Sequence, residues 1–294
     1  MSELYEQCPY NFGSLENQDY DQSKITIFQF PYDSTVSFGS GTKEGPGAIV
    51  RNSRYLDEMW ADDKGKLPDG FFDNDIFLLD EFILSRNSAK EAVEGVEQAI
   101  RDWAVKKNKF PLVLGGEHSI SSGVTRALKA KNKNFGVLQI DAHTDFLNTF
   151  EGSKYSHACV MRRIFDQGLK ITQVGIRNEN SETKEFLSRS STKKQVTTFY
   201  GADTPLQKIL KSLPENVYIT IDLDGLDPSI MPSVGTPEPG GLSWQQLLDI
   251  LQAVFKSKKV IGADIVELAP IPGFTAPDFL TAKLAYNIIK SVLS

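Results

Sequence analysis

The chain has 294 residues, 40% hydrophobic and 24% charged, enough for one large α/β domain or two small ones. Its 32 basic and 38 acidic residues leave a formal charge of −6, so it lacks the basic excess that nucleic acid or an anionic membrane surface attracts. No apolar run approaches the roughly 18 residues of a membrane helix. The acid-bearing start MSELYEQCPYNF lacks the apolar segment of a signal peptide, and two cysteines, Cys8 and Cys159, build no disulfide framework; a cytoplasmic protein is expected.

Short apolar runs alternate with longer amphipathic ones. Strands are predicted at 24–30 and 76–79. Ser88-Ala-Lys-Glu91 then reads as a capping box opening a helix through Ala92, Val96, Ala99, Ile100 and Trp103. Further strands follow at 111–114, 135–140, 171–176, 195–199 and 216–221. Ser243-Trp-Gln-Gln246 opens a second capped helix, a last strand is predicted at 260–268, and Pro277 suits the first turn of the final helix. Several strands are continuous apolar segments, as in a parallel sheet buried on both faces. Strand–helix alternation along the whole chain predicts such a sheet with helices on both sides. No repeat, low-complexity tract or linker divides it, so residues 1–294 are expected to form one domain, with 1–23 as an N-terminal extension. The loop 227–241, DPSIMPSVGTPEPGG, is long for a structureless connection and is expected to shape a site.

Polar residues gather just after three strands. GGEHS (115–119) follows the third, DAHTD (141–145) the fourth, and DLDGLD (222–227) the seventh. While the chain stays extended, Asp141, His143 and Asp145 share one face, as do Asp222 and Asp224. Ligand crevices of open parallel sheets lie beyond the carboxyl ends of the strands, so the three clusters should meet. Close like charges raise one another's pKa, and Asp141, Asp145, Asp222 and Asp224 need compensation. Two imidazoles and four carboxylates suffice for two divalent ions, and oxygen-rich ligation favours Mn²⁺ over a thiolate-type zinc site. Two such ions sit about 3.5–4 Å apart and hold a hydroxide between them. The net charge left is negative, which suits a cationic substrate.

GGEHS, DAHTD, SHACVMRR, IDLDGLDPSIMPSVGTPEPGGL and DIVELAP resemble the ureohydrolases, the group of arginase and agmatinase, from about Ile25 to the C-terminus. The stretch SFGSGTKEGPGAI (37–49) also fits. The resemblance implies a three-layer α/β/α fold around an eight-stranded parallel sheet, a binuclear manganese cluster and hydrolysis of a guanidino group to urea and an amine. Carried over by position, one Mn²⁺ is expected on His118, Asp141, Asp145 and Asp222, and the other on Asp141, His143, Asp222 and Asp224. Asp145 would also orient the bridging hydroxide. His157 matches the family's proton shuttle, and Glu267 the acid that pairs with the substrate guanidinium. Homotrimers or hexamers are implied as well.

Arginases resemble one another in a longer segment after the DAHxD motif. Here FLNTFEGSKYSHACVMRR is shorter and looks like the agmatinase branch, so agmatine is the expected substrate, yielding urea and putrescine. Agmatine carries an amine at its far end, and Glu151 is the candidate to meet it. Aminopropylagmatine, arginine and guanidinobutyrate stay open, the last through Lys154, Arg162 and Arg163. Glu117 stands where many relatives carry Asp, and tuning of the metal is expected from it. The stretch 37–49 lacks the Arg of relatives' versions, which bears on the mouth or subunit contacts. A deacetylase of the same fold would use one zinc and a tandem histidine pair, but GGEHS offers a single His. A non-catalytic scaffold would have lost a ligand, and all six are present.

Overall fold

The computed structural model describes residues 9–15, 17–56 and 74–294; Cys8 and the rest of 1–8 lie outside them. Eight strands form one sheet: β1 (Ile25–Phe30), β2 (Ile76–Glu81), β3 (Phe110–Gly115), β4 (Gly136–Ile140), β5 (Lys170–Ile176), β6 (Val196–Tyr200), β7 (Asn216–Asp222) and β8 (Lys259–Val266). Their order across the sheet is β2-β1-β3-β8-β7-β4-β5-β6, and every neighbouring pair is parallel. Each predicted strand is present, with ends shifted by a residue or two.

Parallel neighbours need crossovers, and the crossovers cover both faces. The helices are α1 (Gly45–Ser53), α2 (Ala89–Trp103), α3 (Ser121–Lys129), α4 (Val160–Asp166), α5 (Ser181–Ser188), α6 (Ser190–Lys193), α7 (Leu206–Ser212), α8 (Trp244–Ser257) and α9 (Ala276–Leu293). Within the apolar strands the period of two still sorts side chains. Ile25, Leu112, Leu138, Ile219 and Ile265 join one buried cluster with residues of α1, α8 and α9. Phe28, Val113, Val137, Tyr218 and Val266 join another with residues of α2, α3 and α4. Each such side chain stabilises the fold by about 1.5–3 kcal/mol. The result is a three-layer α/β/α architecture.

The start signals behave unequally. Ser243 and Gln246 form the full reciprocal box at α8. Ser88 accepts from the Glu91 N–H, but the Glu91 carboxylate is taken by Ser85 and Asn87, so only half of that box forms. Pro277 sits in the first turn of α9 as expected. In the expected N-terminal extension Phe12 is buried against the sheet's first cluster, and the Gly13 N–H donates to Ser53 Oγ at 2.9 Å. Among the described residues no helix is long and apolar enough to cross a membrane.

Candidate active site

The four central strands, β3, β8, β7 and β4, lie side by side, and each delivers one polar motif at its carboxyl end. Two glycines let these loops close on one another. A Cβ on Gly116 would stand 1.9 Å from the Tyr32 carbonyl oxygen, and one on Gly225 would stand 2.8 Å from the Asp141 nitrogen. The Glu117 N–H donates to Tyr32 O at 2.7 Å, seating the segment after β1 on GGEHS.

His118 is fully buried and faces three carboxylates. Its Nδ1 lies 3.2 Å from Asp141 Oδ2, 3.1 Å from Asp145 Oδ2 and 3.3 Å from Asp222 Oδ2, yet it has no hydrogen-bond partner. The other ring nitrogen explains this. Nε2 is 2.9 Å from Thr220 Oγ1, and that hydroxyl gives its hydrogen to Asp264 Oδ1 at 2.6 Å. Thr220 therefore accepts from Nε2–H, and in the neutral ring Nδ1 carries a bare lone pair. A buried lone pair aimed among carboxylate oxygens suits a cation and little else.

A second group forms around His143. Its Nδ1 lies 2.9 Å from Asp224 Oδ2 and 3.7 Å from Asp141 Oδ1. Two sets therefore offer ligand atoms within 4.8 Å of one another: His118, Asp141 and Asp145, and Asp141, His143 and Asp224. Asp141 belongs to both. Asp222 approaches His118 but stands outside both sets, and its Oδ1 accepts the Asp224 N–H at 3.0 Å. The donor atoms fit two hard, oxygen-preferring divalent ions.

The extended conformation expected through Asp145 ends at Ile140. The Ala142 and His143 N–H groups leave the ladder for Asp224 Oδ1 (3.0 Å) and Asp141 Oδ1 (2.6 Å). Asp145 reaches His118 with a left-handed backbone, φ +52. Asp224 sits in a tight turn over Leu223–Gly225 rather than on the face of Asp222.

The electrostatics of these groups reflect concentrated negative charge. Burial, then the charge of Asp141, pushes the Asp145 carboxyl up to about 6. Burial and the charges of Asp224 and Asp141 drive Asp222 well above the carboxylate range. Burial opposes ionisation of Asp141 too, but the neighbouring His118 and His143 imidazoles outweigh it and lower its pKa. Burial likewise works against a charged His143, and Asp141 and Asp224 overcome it, raising the ring to about 12.

Glu267 follows β8 and also has a left-handed backbone, φ +67. Its Oε1 accepts the His118 N–H at 2.6 Å, and burial followed by the charge of Glu117 raises its pKa well above the carboxylate range. His157 lies against Thr35, Ser37 and Ser156, with the Phe150 ring edge-on at 5.7 Å. Burial holds its pKa down to about 4. Glu151 lines a cavity of about 490 Å³ with Thr35, Phe150, Ser156 and Arg86. A larger cavity, about 560 Å³ between α8 and α9, contains none of these residues. Arg162 and Arg163 pair with Asp166 of their own helix, and Lys154 is absent from the cavity lining.

The loop 227–241 borders the site. Thr236 Oγ1 donates to Asp224 Oδ2 at 3.0 Å, and Glu238 Oε1 lies 4.0 Å from His143 Nε2. Arg177 holds it there, donating from Nη2 to Asp224 O and Glu238 O, both at 2.6 Å. Arg177, Gln139, Thr220 and Asp264 escaped the sequence reading. Gln139 Nε2 donates to Asp141 Oδ2 at 2.7 Å, and Asp264 also accepts from the Tyr218 hydroxyl. The last three shared a readable signal, a polar residue interrupting an apolar strand. Glu117, expected to tune the metal, spends its hydrogen bonds on Thr35 and Ser119.

Comparison with known proteins gives this site a context. A family described as the arginase family matches residues 23–294. An N(1)-aminopropylagmatine ureohydrolase of Synechocystis sp. is 36% identical over 280 residues, covering 92% of this chain and 89% of its own. An agmatinase of Pyrococcus horikoshii is 31% identical over 280 residues, covering 94% of each chain. The crystal structure of the agmatine ureohydrolase of Thermoplasma volcanium superposes with a TM-score of 0.81 at 28% identity, covering 98% of this chain and 95% of that one. By matched length, by relatives above 30% identity and by fold, the chain belongs to the arginase family and is a ureohydrolase, a hydrolase of guanidino groups.

Proposed function

We propose that this ureohydrolase cleaves the guanidino group of agmatine, giving urea and putrescine. The observation that carries the reading is His118 Nδ1, a buried lone pair without a hydrogen-bond partner among three carboxylates. His118, Asp141, Asp145 and Asp222 would hold one Mn²⁺; Asp141, His143, Asp222 and Asp224 would hold the other. When bound, the pair supplies hydroxide near neutral pH.

The chain's own residues do the rest. A guanidinium carbon is a poor electrophile because its charge is spread over three nitrogens, so orientation matters. Glu267, buried and fixed by the His118 N–H, pairs with the guanidinium and holds it for attack. Asp145 orients the attacking oxygen. The leaving nitrogen needs a proton as its bond to carbon breaks, and His157 carries it there. Glu151 meets the distant amine from the wall of the 490 Å³ cavity.

That cavity also supports a second reading, hydrolysis of N(1)-aminopropylagmatine, whose added aminopropyl arm needs such room. The 36% identity to the Synechocystis enzyme of that name favours it. Arg86, in the same lining, is the base that a guanidino acid would require. Urea release by the Mn²⁺-loaded chain on agmatine, N(1)-aminopropylagmatine, arginine and guanidinobutyrate tests all of these. Preference for agmatine is the expected result, preference for the aminopropyl compound selects the second reading, and silence on all four with two ions bound overturns the substrate class.

A further inference from the structure

Glu117 is buried next to His118, and its carboxylate accepts three hydrogens. The Thr35 N–H donates to Oε2 at 2.6 Å, the Thr35 hydroxyl to Oε1 at 2.7 Å, and the Ser119 hydroxyl to Oε1 at 2.6 Å. Thr35 Oγ1 has one hydrogen, and Glu117 takes it. Only its lone pairs remain for His157, and two groups of His157 meet them: the backbone N–H at 3.0 Å and the ring Nδ1 at 3.3 Å. A lone pair accepts from Nδ1 only when Nδ1 bears hydrogen. The hydroxyls of Ser156, 3.3 Å from Nδ1, and Ser37, 3.4 Å from Nε2, rotate to suit either tautomer and decide nothing.

We propose that Glu117 is a positioning residue which, through Thr35, fixes His157 as the Nδ1–H tautomer and leaves Nε2 to take up and release the proton. The relay crosses from the loop after β3 to the turn before α4 through the segment after β1. It gives the glutamate a task that metal tuning does not describe. Asp at this position is one methylene shorter, about 1.5 Å, and withdraws its oxygens from Thr35. This inference rests on the reading of His157 as proton carrier, so its test needs a readout that does not depend on that reading.

The chain has three histidines, which makes the imidazole region of a ¹H–¹⁵N long-range spectrum tractable. In protein loaded with Cd²⁺, a diamagnetic substitute, the His157 signals are assigned by their loss in His157→Asn. The wild type is expected to show the Nδ1–H pattern, and Thr35→Val and Glu117→Asp a mixture or the Nε2–H pattern. Thr35→Ser, which keeps the hydroxyl, is expected to restore the wild-type pattern. An unchanged pattern in Thr35→Val and Glu117→Asp overturns the relay.

In Mn²⁺-loaded protein the same two variants are expected to lose about tenfold in kcat, a part of the roughly 10²–10⁴ that general acid–base catalysis contributes. KM and metal content should stay within twofold of wild type. In a His157→Ala background the further loss should vanish; additive losses overturn the relay. Full kcat in His157→Ala itself overturns the shuttle reading and leaves the tautomer result to decide the relay.

Discussion

Glu267 Oε1 accepts the backbone N–H of His118 at 2.6 Å, while the Glu267 N–H donates to Gly116 O at 2.8 Å. The two bonds clasp the ends of β8 and β3 and tie the acid proposed to pair with the guanidinium to the loop that carries His118. The left-handed backbone of Glu267 is the local cost of this clasp, a strain that persists where the surroundings over-determine it.

Glu267→Gln keeps the shape and removes the charge. A buried ion pair that loses one charge is expected to cost about 3 kcal/mol of transition-state stabilisation, roughly a hundredfold in kcat/KM. Mn²⁺ content should remain at two per chain, because Glu267 belongs to neither ligand set. Initial rates of urea release with parallel metal analysis check this. A variant with wild-type kcat/KM would remove Glu267 from the substrate site.

The His118 lone pair depends on Thr220. Thr220→Val removes the acceptor for Nε2–H and one of the donors to Asp264. Orphaning these buried groups is expected to cost about 1–3 kcal/mol of stability. Freeing the ring to swap tautomers should weaken Mn²⁺ binding by roughly 10–100-fold. Chemical denaturation and Mn²⁺ titration measure the two effects separately. Undiminished Mn²⁺ affinity would mean that something other than Thr220 sets the tautomer.

The Asp145 carboxyl rises from an ordinary 3.8 to about 6 when burial and Asp141 act on it. In the metal-free fold this proton is held more tightly than in the unfolded chain. Its stabilising contribution is complete below about pH 4 and is lost as pH rises through about 6. A divalent ion needs the deprotonated carboxylate and must displace that proton. Mn²⁺ affinity should therefore rise as pH climbs from 5 to 7, by up to about tenfold per unit where one proton is released. Calorimetry in two buffers of different ionisation enthalpy gives the affinity and the proton count together. Flat affinity across this range would contradict the raised Asp145 pKa.

The sheet was legible because its strands are short apolar runs and strands buried on both faces need no alternation. The motifs were legible because each stands directly after such a run, where parallel sheets put their crevices. What escaped were side chains whose role depends on a partner far along the chain. Thr35 meets Glu117 across 82 positions, and Arg177 meets Glu238 across 61. The spacing rule also misjudged DAHTD. It assumed that the pleat continues, but the Asp224 and Asp141 side chains capture the backbone N–H groups that would have continued it. The partners of Glu117 were not legible either, since nothing local reveals which way a buried carboxylate turns.

Arg177 is half-buried, and its guanidinium donates to backbone carbonyls from three elements: Gly175 at 3.0 Å, Asp224 at 2.6 Å, and Glu238 at 2.6 Å. A planar fork with five donors does this, and an ammonium on a flexible stem does not. Arg177→Lys preserves the charge but strands several of these carbonyls, at an expected cost of about 2 kcal/mol. The loop 227–241 should then become the first site of limited proteolysis. Thr236 and Glu238 ride on that loop beside Asp224 and His143, so Mn²⁺ affinity should fall with it. Mass mapping of early cleavage products, with and without Mn²⁺, follows both effects. An Arg177→Lys protein that resists protease as the wild type does would show that the loop's prolines hold it unaided.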